Sequence, residues 1–268
     1  MAFTDNCDLY GAIHEDGINR IAKHITQQRP SLFNYGTAFV AANPHLLCKP
    51  IKVAPDVDNF SNPHITVEDP LPVLGTNGLI GLNFCFQITE LEIDFHPGKV
   101  FPLPPELSPP LGAQHFAIHA RVCGGIGCPP RDMDIPEIPQ PDPTEKDEES
   151  IPPFVPPTKK LECFCLDMFV VGHIEMNGPV GDQRLLGKVD GLEIVDIEPD
   201  GLENSLECYL NLLLKTVILP RVSIAIPTMV FGILDLATIT LSASTTVPNN
   251  PAIEDDQLKV FIDMGVSP

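Results

Sequence analysis

The apolar pattern predicts an α+β fold, a long and highly curved antiparallel sheet accompanied by an N-terminal and a late amphipathic helix. Three observations carry this prediction. Apolar residues recur at helical spacing before Pro30, they recur with period two through most of the middle and the end of the sequence, and a second helical stripe runs from Leu202 to Leu219.

The first helix is read over residues 9 to 28, where Ile18, Ile21, Ala22 and Ile25 share a face, Leu9 and Ile13 precede them, and Pro30 closes the segment. From Gly81 to Phe95 the period becomes two. Leu82, Phe84, Phe86 and Ile88 hold one parity and Leu91, Ile93 and Phe95 the other, a slip that predicts a β-bulge or two faces used in succession, with sheet curvature following. Phe116, Ile118, Ala120 and Val122 mark another strand. The alternation from Phe164 through Leu166, Met168, Val170 and Ile174 to Met176 spans about 13 residues, or about 40 Å at ~3.3 Å each, and requires an elongated, twisted sheet. The late helix opens at Asp200, whose carboxylate can cap it, with Glu203 three residues on. Leu202, Leu206, Tyr209, Leu210, Leu213, Leu214 and Val217 form its stripe up to Pro220. Further strands are expected at 185 to 198, 221 to 226, 229 to 243 and 257 to 264.

The 268 residues are read as a single domain, 1–268, with proline-rich insertions at 97–110 and 129–158 that cannot enter a sheet interior. The second insertion carries the acidic run Glu145-Lys146-Asp147-Glu148-Glu149 and reads as a solvated arm. The net charge of −20 opposes binding to nucleic acid and to anionic lipid surfaces. The run from Val222 to Ala243 is broken by Pro227, Gly232 and Asp235, so no integral membrane span is expected. Met1 to Asn6 shows no signal peptide, which predicts cytoplasmic synthesis, with export by another route still open. In such a compartment the eight cysteines are expected as thiols, most of them packing as small apolar groups.

Four cysteines invite a zinc reading: Cys123, Cys128, Cys163 and Cys165. In tetrahedral zinc the sulfurs sit ~3.8 Å apart, whereas strand residues i and i+2 are about 6.6 Å apart at Cα, so Cys163-Phe164-Cys165 would need a kink. Packed thiols, an oxidisable cross-strand pair and zinc are the three alternatives, and no metal or cofactor is assigned. The glycines between Cys123 and Cys128 lack the following helix of a phosphate cradle. His115 and His119 lie on a strand, which puts them about 13 Å apart, and are read as surface histidines. Arg131-Asp132-Met133-Asp134 with Glu137 lacks the glycine and terminal glutamate of a calcium loop. No hydrolase elbow, zincin or P-loop motif occurs, so the chain is expected not to be an enzyme.

The order of elements, from the helix at Leu9 to Gln28, through curved strands and the helix at Leu202 to Leu219, to Pro220-Arg221-Val222-Ser223-Ile224-Ala225-Ile226-Pro227 and the closing strands at Ala237 to Ser244 and Lys259 to Met264, resembles the tubular lipid-binding superfamily. This group includes bactericidal/permeability-increasing protein and clostridial toxin-cluster proteins of similar fold. The resemblance implies that the sheet wraps around the two helices. It also implies that lipid or another apolar ligand binds without chemistry at a seam formed by Ile21, Ile25, Phe84, Phe86, Leu210, Leu213 and Leu214. The alternative expectation is a structural or adaptor subunit of a larger assembly, or a homo-oligomer, docking through the acidic proline-rich loop and open sheet edges.

Overall fold

The computed structural model describes residues 5–55, 63–73, 79–127, 153–179, 183–195, 223–225, 231–233 and 237–267. In chain order these form β1 (Leu9–His14), α1 (Glu15–Gln28), β2 (Asn34–Thr37), α2 (Ala38–Ala42), β3 (Thr66–Glu68), β4 (Leu71–Pro72), β5 (Gly81–Leu82), β6 (Phe84–Phe95), β7 (His115–Ile126) and β8 (Glu162–Asn177). They continue with β9 (Arg184–Val195), β10 (Ser223–Ala225), β11 (Phe231–Ile233), β12 (Ala237–Ala243), β13 (Ala252–Glu254) and β14 (Gln257–Ser267). One sheet runs β10-β9-β8-β7-β6-β2-β3. A second runs β1-β14-β12-β11 with β13 also on β14, and β4 pairs with β5 alone.

The chain forms two compact units. Unit 1 comprises Met1–Ala22, Leu91–Ala120 and Asp167–Pro268, and unit 2 comprises Lys23–Glu90 and Arg121–Leu166. Strands β6, β7 and β8 contribute to both.

In unit 1 the core gathers Phe95, Phe116, Ile253 and Leu258, with Ile18, Ile93, Ile118 and Ile174 packed against it. Helix α1 adds more than Ile18. The Asn19 amide donates to the Ile93 carbonyl and accepts the Ile93 N–H, both at 2.8 Å, and Glu15 Oε2 accepts the Phe95 N–H at 2.7 Å. These side chains pair backbone groups of β6, which would otherwise be costly to bury. β1 pairs antiparallel with β14 from Leu9↔Ile262 to His14↔Gln257.

In unit 2, β2 runs parallel to β3 and antiparallel to β6. Its core is Val40, Leu46, Cys85 and Leu161. Two buried amides are hydrogen-bonded there through both their oxygen and their nitrogen. Gln87 donates to Asn34 Oδ1 and to the Lys49 carbonyl while accepting the Lys49 N–H, and Asn83 links the Thr37 hydroxyl to that of Thr158. Satisfied polar groups of this kind fix register, because a slip would leave them unpaired.

The structure overturns the fold class expected from the sequence. The expected sheet wrapped around an N-terminal and a late helix is not what the described residues form. They hold only two α-helices, of which α2 has five residues, and their sheets remain open, with no closed barrel. Within α1 only Glu15 is buried, while Ile21 and Ile25 are 52% and 38% exposed. This helix therefore docks by its first turns and by polar contacts to β6, so no sheet encloses it. The late stripe at 202 to 219 lies outside the described residues. The start of α1 is also corrected. Leu9 and Ile13 have a spacing that fits a helix, but residues 9 to 14 gain a full ladder by joining β14, and the helix begins only at Glu15, where the Asp16 N–H donates to His14 Nδ1 at 3.2 Å.

The segment after Phe95 holds no strand before His115 and one 3-10 turn at Pro105–Leu107. Of the second insertion, residues 129 to 152 lie outside the described residues. None of the described helices is long and apolar enough to cross a membrane.

Candidate metal centre

Within unit 1, His115 opens β7, His173 sits four residues before the end of β8, and Asp190 lies in β9. Asp190 owes its position to an irregularity of the ladder. β8 pairs Val171 with Gly191 and then Gly172 with Val189, so Asp190 is the extra residue of a β-bulge. A bulge re-aims the side chain it carries. Here Asp190 Oδ2 comes to 2.8 Å from His173 Nδ1 and 3.5 Å from His115 Nε2. One donor atom from each of the three residues lies within 4.8 Å of the other two.

The other nitrogen of each ring fixes its orientation. His115 Nδ1 lies 2.7 Å from the Ala113 carbonyl. That oxygen only accepts, so Nδ1 donates to it, which leaves Nε2 as the ring nitrogen that faces Asp190. His173 Nε2 lies 3.1 Å from Glu175 Oε1, and Lys188 Nζ stands 3.9 Å from the other oxygen of Glu175. The two imidazoles meet edge to face at 6.0 Å. Hydrogen bonds to Asp190 and then Glu175 push the His173 imidazole above its ordinary range, against a weaker opposing effect of burial. In the metal-free chain the His173 ring bridges two carboxylates, Asp190 at Nδ1 and Glu175 at Nε2.

The group opens on a cleft of about 680 Å³, whose walls include Gln114, Met176, Asn249, Asn250 and Pro251. Gln114 and Asn249 both adopt left-handed backbone, at φ 62° and 57°. Asn250 is held by the backbone, donating to the Ser244 and Phe261 carbonyls and accepting the Phe261 N–H.

A second histidine cluster lies in the same unit. His119 Nε2 is 3.0 Å from Asp167 Oδ1 and its Nδ1 is 3.5 Å from Glu92 Oε2. Its ring stacks on Phe169 at 4.7 Å with Phe101 at 5.5 Å, and its side chain is only 15% exposed. His119 is therefore not the surface residue expected, whereas the His115 side chain stays 37% exposed. Each joins its own carboxylates, because a strand separates them and brings each opposite a different part of β8.

The residues singled out in the sequence are placed as follows. Phe84 and Phe86 are half-buried on β6, with Phe86 tilted against Tyr35 at 6.3 Å. Ile21 and Ile25 are exposed one turn apart on α1. Leu210, Leu213 and Leu214 lie outside the described residues, as does Cys128. The cysteines pair differently from the thiols expected, because strand register brings Cys123 of β7 beside Cys165 of β8. Those two form one disulfide, and Cys163 forms another with Cys48, a residue the zinc reading did not include. Among the described residues, Cys123, Cys163 and Cys165 are thus bonded in disulfides and offer zinc no thiolate.

His173, Glu175 and Asp190 were missed in the sequence. The signal available was His173 and Glu175 at one parity inside an apolar strand, with Asp190-Gly191 interrupting the next. No family model and no curated protein matches this chain.

Proposed function

We propose that the protein is a non-enzymatic binding module that holds a divalent transition-metal ion at His115 Nε2, His173 Nδ1 and Asp190 Oδ2. One observation carries the reading: two imidazole nitrogens and a carboxylate oxygen converge while the outer nitrogens donate to Ala113 and Glu175. Metal-bound histidines commonly donate their second N–H to a carbonyl or carboxylate in this way. Imidazole donors with a nearby thioether, Met176, suit the zinc and copper end of the divalent series over magnesium or calcium.

The metal must displace the proton from His173. Affinity is expected to strengthen as pH rises through the raised His173 pKa, above the ordinary imidazole value of about 6.5. In the metal-free chain the sign is opposite. A raised pKa stabilises the fold below the unfolded value, and that contribution is lost as pH rises.

Calorimetric titration of the chelator-stripped, disulfide-intact chain with zinc chloride at pH 7.5 is expected to show one saturable equivalent. At free zinc of 100 Kd the fold should gain about 2.7 kcal/mol. His173→Ala and Asp190→Asn should each weaken binding by tenfold or more. Binding that is absent, or unchanged in both variants, would reject the reading.

A further inference from the structure

Three sulfurs meet within unit 2. Cys48 Sγ, bonded to Cys163, lies 3.4 Å from the Sγ of Cys85, which is a free thiol. The three come from separate parts of the chain, with Cys85 on β6, Cys163 at the start of β8 and Cys48 after α2. Gly125 on β7 makes room for them, since a Cβ there would meet Cys48 Sγ at 2.6 Å and Cys163 Sγ at 3.1 Å. The environments differ sharply: Cys85 is 2% exposed, whereas Cys163 is exposed at the surface.

We propose that Cys85 and Cys163 compete for Cys48, and that the exchange turns Cys163 into a surface thiol open to modification by a low-molecular-weight disulfide. The step needs no oxidant. The Cys85 thiol loses its proton to solvent and its thiolate attacks Cys48 Sγ. The Cys85–Cys48 bond forms as the Cys48–Cys163 bond breaks, and Cys163 leaves as a thiolate. In the second step that thiolate attacks the small disulfide, forming a mixed disulfide at Cys163 and releasing one small thiolate. Exchange moves negative charge from a buried sulfur to a solvated one, which favours the forward direction. Burial holds the Cys85 thiol above its ordinary value, against weaker backbone hydrogen bonds, so exchange is slow at neutral pH and accelerates as pH rises.

The test incubates the full chain with oxidised glutathione and no reductant at pH 6.5 and pH 8.5, followed by acid quench and non-reducing peptide mapping. The expected products are Cys163 carrying one glutathionyl group and a Cys48–Cys85 cross-link. They should appear faster at the higher pH by about tenfold per unit, as the thiolate fraction dictates. Cys85→Ser should abolish both. Persistence of Cys48–Cys163 alone at pH 8.5, or equal glutathionylation in Cys85→Ser, overturns the proposal. Cys163→Ser gives an independent reading. It should be recovered with Cys48 joined to Cys85, and two free thiols after incubation with oxidised glutathione would overturn the proposal as well.

Discussion

Glu15 enters α1 with its carboxyl buried beside two other acids, Asp94 and Asp256. Burial pushes its pKa up, and the neighbouring charges add to this against the opposing hydrogen bond from the Phe95 N–H. A carboxyl raised in the folded state stabilises the fold below the unfolded value of about 4.3, and that stability is lost as pH rises through the folded value. Glu15→Gln keeps an acceptor for Phe95 and removes the titration. Urea unfolding should therefore show the variant gaining on the parent chain between pH 4.5 and pH 7, and a difference that stays constant across that range would contradict the assignment. Asp94 in turn accepts the N–H groups of Lys99 and Val100 at 3.0 Å, which ties its carboxylate to the backbone just after β6.

At the scale of elements, Gly125 is tightly enclosed in unit 2, with Cys48, Leu161 and Cys163 all within 3.1 Å of where a Cβ would stand. Gly125→Ala should cost about 1–3 kcal/mol, as overpacked cores do. A urea midpoint corresponding to less than about 0.5 kcal/mol, the scale of surface substitutions, would show that the sulfurs can shift. Much of the strand content was legible. The alternation at 116 to 122 falls inside β7 and that at 164 to 176 inside β8, because period two reports a half-buried strand directly. Residues 9 to 14 were not legible as a strand, since Leu9 and Ile13 fit a helix and their β14 partners lie far along the sequence. The metal centre was hidden for a related reason. His115, His173 and Asp190 are brought together by strand pairing and by one bulge, and neither leaves a local spacing to read. Cys48 was invisible as a partner because 115 residues separate it from Cys163.

On the scale of the molecule, both disulfides fall in unit 2, closing spans of 115 and 42 residues. Loss of either is expected to cost about 2–5 kcal/mol, the range for native disulfides. The effect should be unequal across the chain. Hydrogen exchange after reduction should show protection falling first in residues 23–90 and 121–166, while the amides of β12 and β14 keep theirs. A uniform loss would mean that the two units open together. The acidic balance bears on this as well, since 36 carboxylates against 16 basic groups repel one another in any compact state.

The pairing of β1 with β14 also sets a timetable for synthesis. Ala12 lies against Lys259, about 250 residues later, and ribosomes add roughly 5–20 residues per second. The opening strand must therefore wait roughly 10–50 s for its partner to be made, with Leu9 and Ile13 held in the meantime by solvent or by a chaperone.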